Sequence, residues 1–298
     1  MNAITLFAGA GGADLGMQRA GVQHLACVEG DATACATLRA AGFPAVHAWI
    51  GTPTPGSGLT GWRWEGGPVD LLWASPPCQP YSMAGKRLGA DDARDGWPAT
   101  LEAIQAIRPR WVIVENVGGA PIRSWALDLH GGMFATEEHY PYVSTRTLDA
   151  ADWGLPSHRT RQFLVAGPEP YRWPEPTHCG PDAPVAARLR LLPWVGFGEA
   201  LGIGPGATML PGNGGHLPAP RCASEPAHTV TGSCPQYLMQ PATGRRRLTW
   251  QECATLVGFP DDYPFQGTIE ARYRQVGNAV APVMAQVLAA NLISQEEP

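Results

Sequence analysis

Lysine is almost missing from this chain of 298 residues: Lys86 is the only one, and every other fixed cation is an arginine. Arginine suits bidentate contact with phosphate and guanine, although a genome biased toward Arg, Ala, Gly and Pro produces the same pattern. Net positive charge is also missing. The formal charge is −5, so the chain does not advertise nucleic-acid binding, yet whole-chain charge says little about a local cleft. The seven cysteines are odd in number and form no CxxC pair. That argues against a disulfide framework or a zinc site and fits a reducing compartment. No apolar run approaches the ~20 residues of a membrane span, and no basic n-region precedes Ala3-Ile4-Thr5-Leu6-Phe7. The chain is expected to be cytoplasmic and without membrane contact.

What is present is alternation. Ala3–Phe7, His24–Val28, Val69–Ala74, Trp111–Val114 and Phe163–Ala166 read as strands. Between them, helices are expected from the glycine-rich turn to about Ala20, from Asp31 to about Ala41, and over Leu101–Ile107. Such a pattern predicts an α/β, doubly wound, Rossmann-like sheet. From Pro168 to Thr243 the chain turns dense in Pro and Gly and weakly periodic, as in a small loop-rich domain or an insertion. Order resumes at Arg245-Arg246-Arg247-Leu248-Thr249, with helices expected at about Trp250–Val257 and Ala281–Leu292.

Five blocks carry candidate chemistry. Ser75-Pro76-Pro77-Cys78-Gln79 follows a buried strand, so the cysteine sits on a stiff loop at a strand's carboxyl end, where α/β sheets bind ligands. A structural free cysteine is the commoner reading of a lone Cys. Phe7-Ala8-Gly9-Ala10-Gly11-Gly12 stands between strand and helix, and Glu29 ends the next strand, where a carboxylate can take ribose hydroxyls. NAD, FAD and S-adenosylmethionine all fit that pair, as does an incidental tight turn. Glu115-Asn116-Val117 leaves an apolar strand, and desolvation there would raise the glutamate's pKa toward proton-donor range; a solvent-facing acid is the plainer alternative. In Ser157-His158-Arg159-Thr160-Arg161, an extended backbone points both arginines to one face, where they repel unless an anion or carbonyl intervenes. His158 reads as a surface or supporting histidine. Gln275-Val276-Gly277-Asn278-Ala279-Val280-Ala281-Pro282 reads as a turn and a helix start.

In this order the blocks resemble the cytosine-C5 DNA methyltransferase family of bacterial or phage type. Leu6–Gly12 is similar to its first motif and Pro77-Cys78-Gln79 to its nucleophile motif. Glu115-Asn116-Val117 is similar to its glutamate motif, and Arg159-Thr160-Arg161 to its Arg-x-Arg motif. Arg246–Thr249 through Gly258-Phe259-Pro260 resembles the ninth motif, and Gly277–Val280 the tenth. Residues 1–167 and 244–292 carry the match.

The resemblance implies methyl transfer from S-adenosylmethionine, leaving S-adenosylhomocysteine, to C5 of a flipped-out cytosine, without a metal. It implies catalytic roles for Cys78, Glu115, Arg159 and Arg161. Cofactor contacts would come from Phe7, Ala8, Gly9, Gly11, Gly12, Leu15, Glu29, Gly30, Trp49, Ile50, Pro77, Trp97, Asn278, Ala279 and Val280. Contacts to double-stranded DNA would come from Gln79, Ser82, Lys86, Arg87, Arg221, Thr229, Arg245, Arg246 and Arg247. The catalytic domain would span 1–167, completed by 277–298, and a target-recognition domain 168–276. Expected partners are DNA and a separately acting restriction endonuclease, with the chain itself a monomer.

Three positions depart from the family pattern. Gly30 stands where a Trp often follows the ribose-binding Glu, Trp49-Ile50 where an Asp-Ile pair contacts adenine, and Ser157 where a Gln opens the Arg-x-Arg motif. Trp49 is therefore a candidate to replace the missing plate over the adenine. Three rival readings remain. A tRNA methyltransferase of this fold would carry a Cys-Phe-Thr signature, which is absent. A catalytically dead DNA-binding relative would not need the intact Cys78, Glu115, Arg159 and Arg161. A nicotinamide dehydrogenase is supported by the glycine loop alone.

Overall fold

The computed structural model describes residues 1–50, 61–77, 95–118, 120–131, 140–210, 219–232, 236–241 and 244–296. The N-terminal half alternates strand and helix. In chain order it runs β1 (Asn2–Leu6), α1 (Gly12–Arg19), β2 (Gln23–Glu29), α2 (Ala32–Ala40), β3 (Ala45–His47), β4 (Leu71–Ala74), α3 (Trp97–Ile107), β5 (Trp111–Asn116), α4 (Ile122–Gly131), β6 (Tyr142–Asp149) and β7 (Thr160–Gly167). These strands form one seven-stranded sheet in the order β3-β2-β1-β4-β5-β7-β6. The first five are parallel, while β7 runs antiparallel to both β5 and β6.

The central strands are apolar at nearly every position because helices cover both faces. Leu71, Leu72, Trp73 and Ala74 of β4 and Trp111, Val112, Ile113 and Val114 of β5 are all fully buried. Strand order reverses between β1 and β4, so the crevice at their carboxyl ends is the expected ligand site of such a sheet. β7 contributes to the same edge from the opposite direction, since Asn116 at the end of β5 pairs with Gln162 near the start of β7.

The segment after β7 does hold regular structure, in short pieces: β8 (His178–Cys179), α5 (Val185–Arg188), β9 (Leu192–Pro193), α6 (Phe197–Ala200), β10 (Thr208–Leu210), β11 (Arg221–Cys222), β12 (Tyr237–Gln240) and β13 (Gly244–Arg247). β10 to β13 form a second, antiparallel sheet in the order β11-β10-β12-β13. Phe197, Met209, Leu238 and Leu248 fill its core together with α7 (Trp250–Val257) and α8 (Ile269–Asn278). Thr249 begins α7 with a capping box: its hydroxyl accepts from the Glu252 amide, and the Glu252 carboxylate accepts from the Thr249 amide.

The Gln275–Pro282 block does end in a helix start, but what precedes it is a helix end rather than a turn. Gln275 to Asn278 are the last turn of α8, and Pro282 opens α9 (Pro282–Glu296). α9 is apolar on most sides because it is a core helix. Met284, Ala285, Leu288, Ala289 and Leu292 are buried in the layer that holds α1, under the face of the sheet that carries Ala3, Leu71 and Trp73.

Candidate active site

The chain leaves β1 through a strained turn. Phe7 has φ 55°, a left-handed conformation uncommon for a bulky side chain, and Gly9 follows with φ 56°. Glu29, at the end of β2, fastens this turn: its Oε2 accepts from the Gly9 amide at 2.8 Å and its Oε1 from the Asp31 amide at 2.7 Å. Burial pushes the Glu29 carboxyl upward against these amide hydrogen bonds. A carboxylate with these amide partners still has lone-pair capacity for a further donor.

Phe7, Ala8, Gly9 and Glu29 line a cleft with Pro76, Pro77, Glu115, Arg161, Asn278, Ala279 and Val280. β1, β2, β4, β5, β7 and the α8–α9 link thus all contribute to one crevice at the carboxyl edge of the sheet. Sequence reasoning did not single out Asp31 or Arg274, which also line it. Asp31 caps α2, and Arg274 reaches it from α8 at 3.5 Å. The only sequence signal for that pair was Asp31 standing two residues beyond Glu29.

Glu115 is the chemical centre of the described cleft. Its side chain is 9 % exposed, and Arg161 Nε lies 3.0 Å from its Oε1. The register explains the meeting: Glu115 pairs with Phe163, so Arg161, two residues earlier on β7, is its diagonal neighbour on the same face. Burial raises the Glu115 carboxyl above its ordinary range, and the guanidiniums of Arg161 and Arg159 and the Ser75 hydroxyl oppose that rise without cancelling it. Ser75 is itself held by the Trp73 indole, which donates to its Oγ at 3.0 Å. The next residue of β5, Asn116, donates through Nδ2 to the Pro76 carbonyl at 3.0 Å. That bond fastens the turn leading to Cys78. Cys78, Gln79, Ser82, Lys86 and Arg87 lie outside the described residues; Pro77, one peptide bond before Cys78, lines the cleft.

Several expected site residues have other settings. Arg159 does not stand beside Arg161 in the cleft. It precedes β7, is 2 % exposed, and donates to the carbonyls of Val230 and Gly277 at 2.9 Å each and to that of Ala279. Carbonyls thus take one arginine of the pair and the Glu115 carboxylate takes the other. Arg159 is a positioning residue that ties β7 to the α8–α9 link. Arg159→Met is expected to lower unfolding stability by roughly 3 kcal/mol, because buried carbonyls lose a charged donor. Urea melts check this, and a wild-type melt with lost turnover would place Arg159 in the chemistry instead.

Gly11 and Gly12 do not line the cleft. A Cβ on Gly12 would lie 2.2 Å from the Val280 carbonyl, and one on Gly11 would lie 2.6 Å from the Tyr263 hydroxyl. Both glycines let the start of α1 approach C-terminal elements. Leu15 packs among apolar side chains of the same region. Ile50 is core, and Trp97 stacks on Trp125 at 4.7 Å and 11° while its Nε1 donates to Asp128. Neither lines the cleft. Trp49 is half-buried beside Gly30, whose missing Cβ would meet the indole at 3.7 Å. It stands next to the strand end that carries Glu29, outside the cleft lining.

Of the arginines expected at DNA, Arg246 forms a two-pronged pair with Glu252, at 2.8 and 2.6 Å, and so braces the α7 cap. Arg245 and Arg247 point to the other face of β13, over the rings of Tyr237 and Tyr273 at 4.1 and 4.2 Å. Arg221 pairs with Glu225 at 3.1 Å. The Thr229 hydroxyl donates to the His158 carbonyl at 2.7 Å, a bond inside the protein. His158 supports in turn, with Nδ1 2.8 Å from Asp149.

The chain as a whole has clear counterparts among known proteins. The model of the C-5 cytosine-specific DNA methylase family matches residues 1–183 and 219–294. The Type II methyltransferase M.NaeI of Lentzea aerocolonigenes is 34 % identical over 97 % of this chain and 73 % of its own length. M.NgoMIV of Neisseria gonorrhoeae is 30 % identical over 97 % of this chain and 96 % of its own. Among solved structures, the S. pombe Dnmt2 methyltransferase superposes with a TM-score of 0.66 at 15 % identity, covering 100 % of both chains. Spodoptera frugiperda DNMT2 gives a TM-score of 0.65 at 16 % identity, covering 98 % of this chain and 99 % of its own. At such identities the two structures speak for the fold, and the family match over most of the sequence decides the class: this chain belongs to the C-5 cytosine-specific DNA methylase family and is a DNA cytosine-5 methyltransferase.

Proposed function

We propose that the chain methylates C5 of a flipped-out cytosine in a specific duplex sequence, using S-adenosylmethionine, through a covalent bond between Cys78 Sγ and cytosine C6. The observation that carries this reading is the buried Glu115–Arg161 pair beside the Pro76-Pro77 turn. Cytosine C5 is a poor nucleophile. Thiolate addition at C6 makes the ring an enamine, and that addition needs a proton or hydrogen bond at N3 and a cation near O2. Glu115, held toward its protonated form by burial, suits N3. Arg161 suits O2. The target base must leave the helix stack to reach such a crevice. Loss of the C5 proton and release of the thiol complete the reaction.

The cleft fits the methyl donor. Glu29 keeps lone pairs for ribose hydroxyls, Phe7 is aromatic at the turn, and Asn278 to Val280 form the far wall. S-adenosylmethionine supplies an electrophilic methyl group on its sulfonium. Trp49, beside Gly30, is proposed to add an apolar plate near the adenine. Trp49→Ala is therefore expected to weaken S-adenosylmethionine several-fold by calorimetry without changing the DNA sequence methylated; unchanged affinity in a folded variant would remove Trp49 from the site.

Residues 168–276 are proposed as the target-recognition domain. Support comes from the separate small sheet β10–β13 and from Arg245 and Arg247 on one face of its edge strand. Transplanting Pro168–Thr243 into a related methyltransferase should carry this chain's DNA specificity with it, and retention of the host's specificity refutes the assignment. The similarity to Type II methyltransferases supports a modification role beside a separate endonuclease. Bisulfite sequencing of DNA from cells expressing the chain tests the whole reading. It should show 5-methylcytosine at one short motif, and unmodified DNA from an expressing strain would overturn it.

A further inference from the structure

His24 and Cys27 are three residues apart on β2 and would point to opposite faces of a regular strand. They do not. Ala3 pairs with His24 and Ile4 with Ala26, so Leu25 is an extra residue that shifts the register. Cys27 pairs with Thr5, and Ala3 and Thr5 share a face of β1. The bulge therefore turns His24 and Cys27 to the same side, toward α1, where Asp14 in its first turn meets them.

The three groups are enclosed. The side chains of His24 and Asp14 are 4 % and 0 % exposed, and Cys27 is fully buried. Cys27 Sγ lies 3.1 Å from Asp14 Oδ1, and His24 Nε2 lies 3.4 Å from the same oxygen. All three candidate donor atoms fall within 4.8 Å of one another. Asp14 Oδ2 and His24 Nε2 are buried without a hydrogen-bond partner. A buried carboxylate oxygen without a donor is costly unless a cation or proton reaches it. The surroundings offer little else: Phe43 packs its ring against His24 at 5.2 Å, Leu38 and Ala8 pack with Cys27, and the Tyr263 hydroxyl donates to the Ala10 carbonyl.

The geometry points to a structural metal site: Asp14, His24 and Cys27 hold one thiophilic divalent cation, zinc by ligand type, behind the glycine loop. A nitrogen, sulfur and oxygen donor set is that of protein zinc. A bound cation favours the thiolate form of a coordinating cysteine. On binding, the thiol gives its proton to solvent. One dication with a thiolate and a carboxylate then sums to zero charge in the interior. The site is apart from the methyl-transfer cleft, and its consequence is to pin α1 to β2 under Phe7–Gly12. The absence of CxxC pairs did not reveal it, because the ligands come from a helix and a bulged strand.

The test is metal content and spectroscopy on the full chain, purified without chelator from zinc- or cobalt-supplemented cells. Plasma mass spectrometry should find about one zinc per chain, falling to about a tenth of that in Cys27→Ser and in His24→Gln. The cobalt form, in a Cys222→Ser background that removes an exposed thiol, should show a thiolate-to-cobalt charge-transfer band. Should the ligand variants fail to fold, this cobalt spectrum decides. Background metal in the unmodified chain, metal retained by Cys27→Ser, or a cobalt form without the thiolate band would each overturn the site and leave a hydrogen-bonded triad.

Discussion

Cys78→Ala is expected to leave methylation at background while DNA and S-adenosylmethionine still bind. The reason is chemical: without addition at C6, C5 of cytosine has too little electron density to attack a methyl group, and no described side chain of the cleft offers a thiolate in its place. The turn before Cys78 is held independently of the thiol, by Asn116 on the Pro76 carbonyl, so the substitution should not disturb the cleft. A tritiated-methyl transfer assay with parallel binding measurements separates the two effects. Full methylation by Cys78→Ala would eliminate the covalent route.

Glu115→Gln is expected to lower turnover by roughly 10²-fold or more, the usual scale of a positioned acid, with cofactor affinity near wild type. The same substitution should stabilise the fold. Burial raises the Glu115 carboxyl despite the pairing with Arg161 and the more distant charge of Arg159, so the folded state prefers the neutral form. A group with a raised folded pKa contributes stability that is complete below its unfolded pKa and is lost as pH rises through the folded pKa. At neutral and alkaline pH the ionised Glu115 therefore costs stability, and glutamine, shaped like the neutral acid, removes that cost. Thermal melts should show Glu115→Gln more stable than wild type at pH 8, with the difference shrinking toward pH 4. In the wild type, turnover should fall as pH rises through the raised pKa, and that limb should be absent in the variant. A less stable variant with unchanged turnover would make Glu115 structural.

Strands buried on both faces were the most legible part of the fold. Val69–Ala74 and Trp111–Val114 read as apolar runs because helices cover both sides, and β4 and β5 fall there. The helix expected at about Trp250–Val257 likewise falls on α7. Edge and polar elements were not legible. β6 is half-exposed at the sheet margin, with Ser144, Thr145, Arg146 and Thr147 in succession and no alternation to read. α8 carries the charges of Glu270, Arg272 and Arg274 and buries only Ala271, Gln275, Val276 and Gly277.

The same division holds in the site. Glu115 and Arg161 were readable as members of short local motifs, and the antiparallel pairing of β5 with β7 then brings them together. The setting of Arg159 depends on carbonyls 71, 118 and 120 residues away, and no local pattern encodes those. Trp97 looked like a pocket aromatic, but its partner Trp125 lies on another helix. The bulge at Leu25, which turns His24 and Cys27 to one face, comes from pairing with β1 and has no signature within β2 itself.

The most direct measurement of the central claim uses duplex DNA carrying 5-fluorocytosine at the mapped target position. The fluorine at C5 cannot leave as a proton, so an enzyme that proceeds through a C6 adduct is trapped after methyl transfer. Incubated with S-adenosylmethionine, the wild-type chain should form a complex that survives denaturing electrophoresis, with the DNA attached to the peptide containing Cys78 by mass spectrometry. Turnover of the fluorinated duplex without a trapped complex, or attachment at another residue, would contradict it.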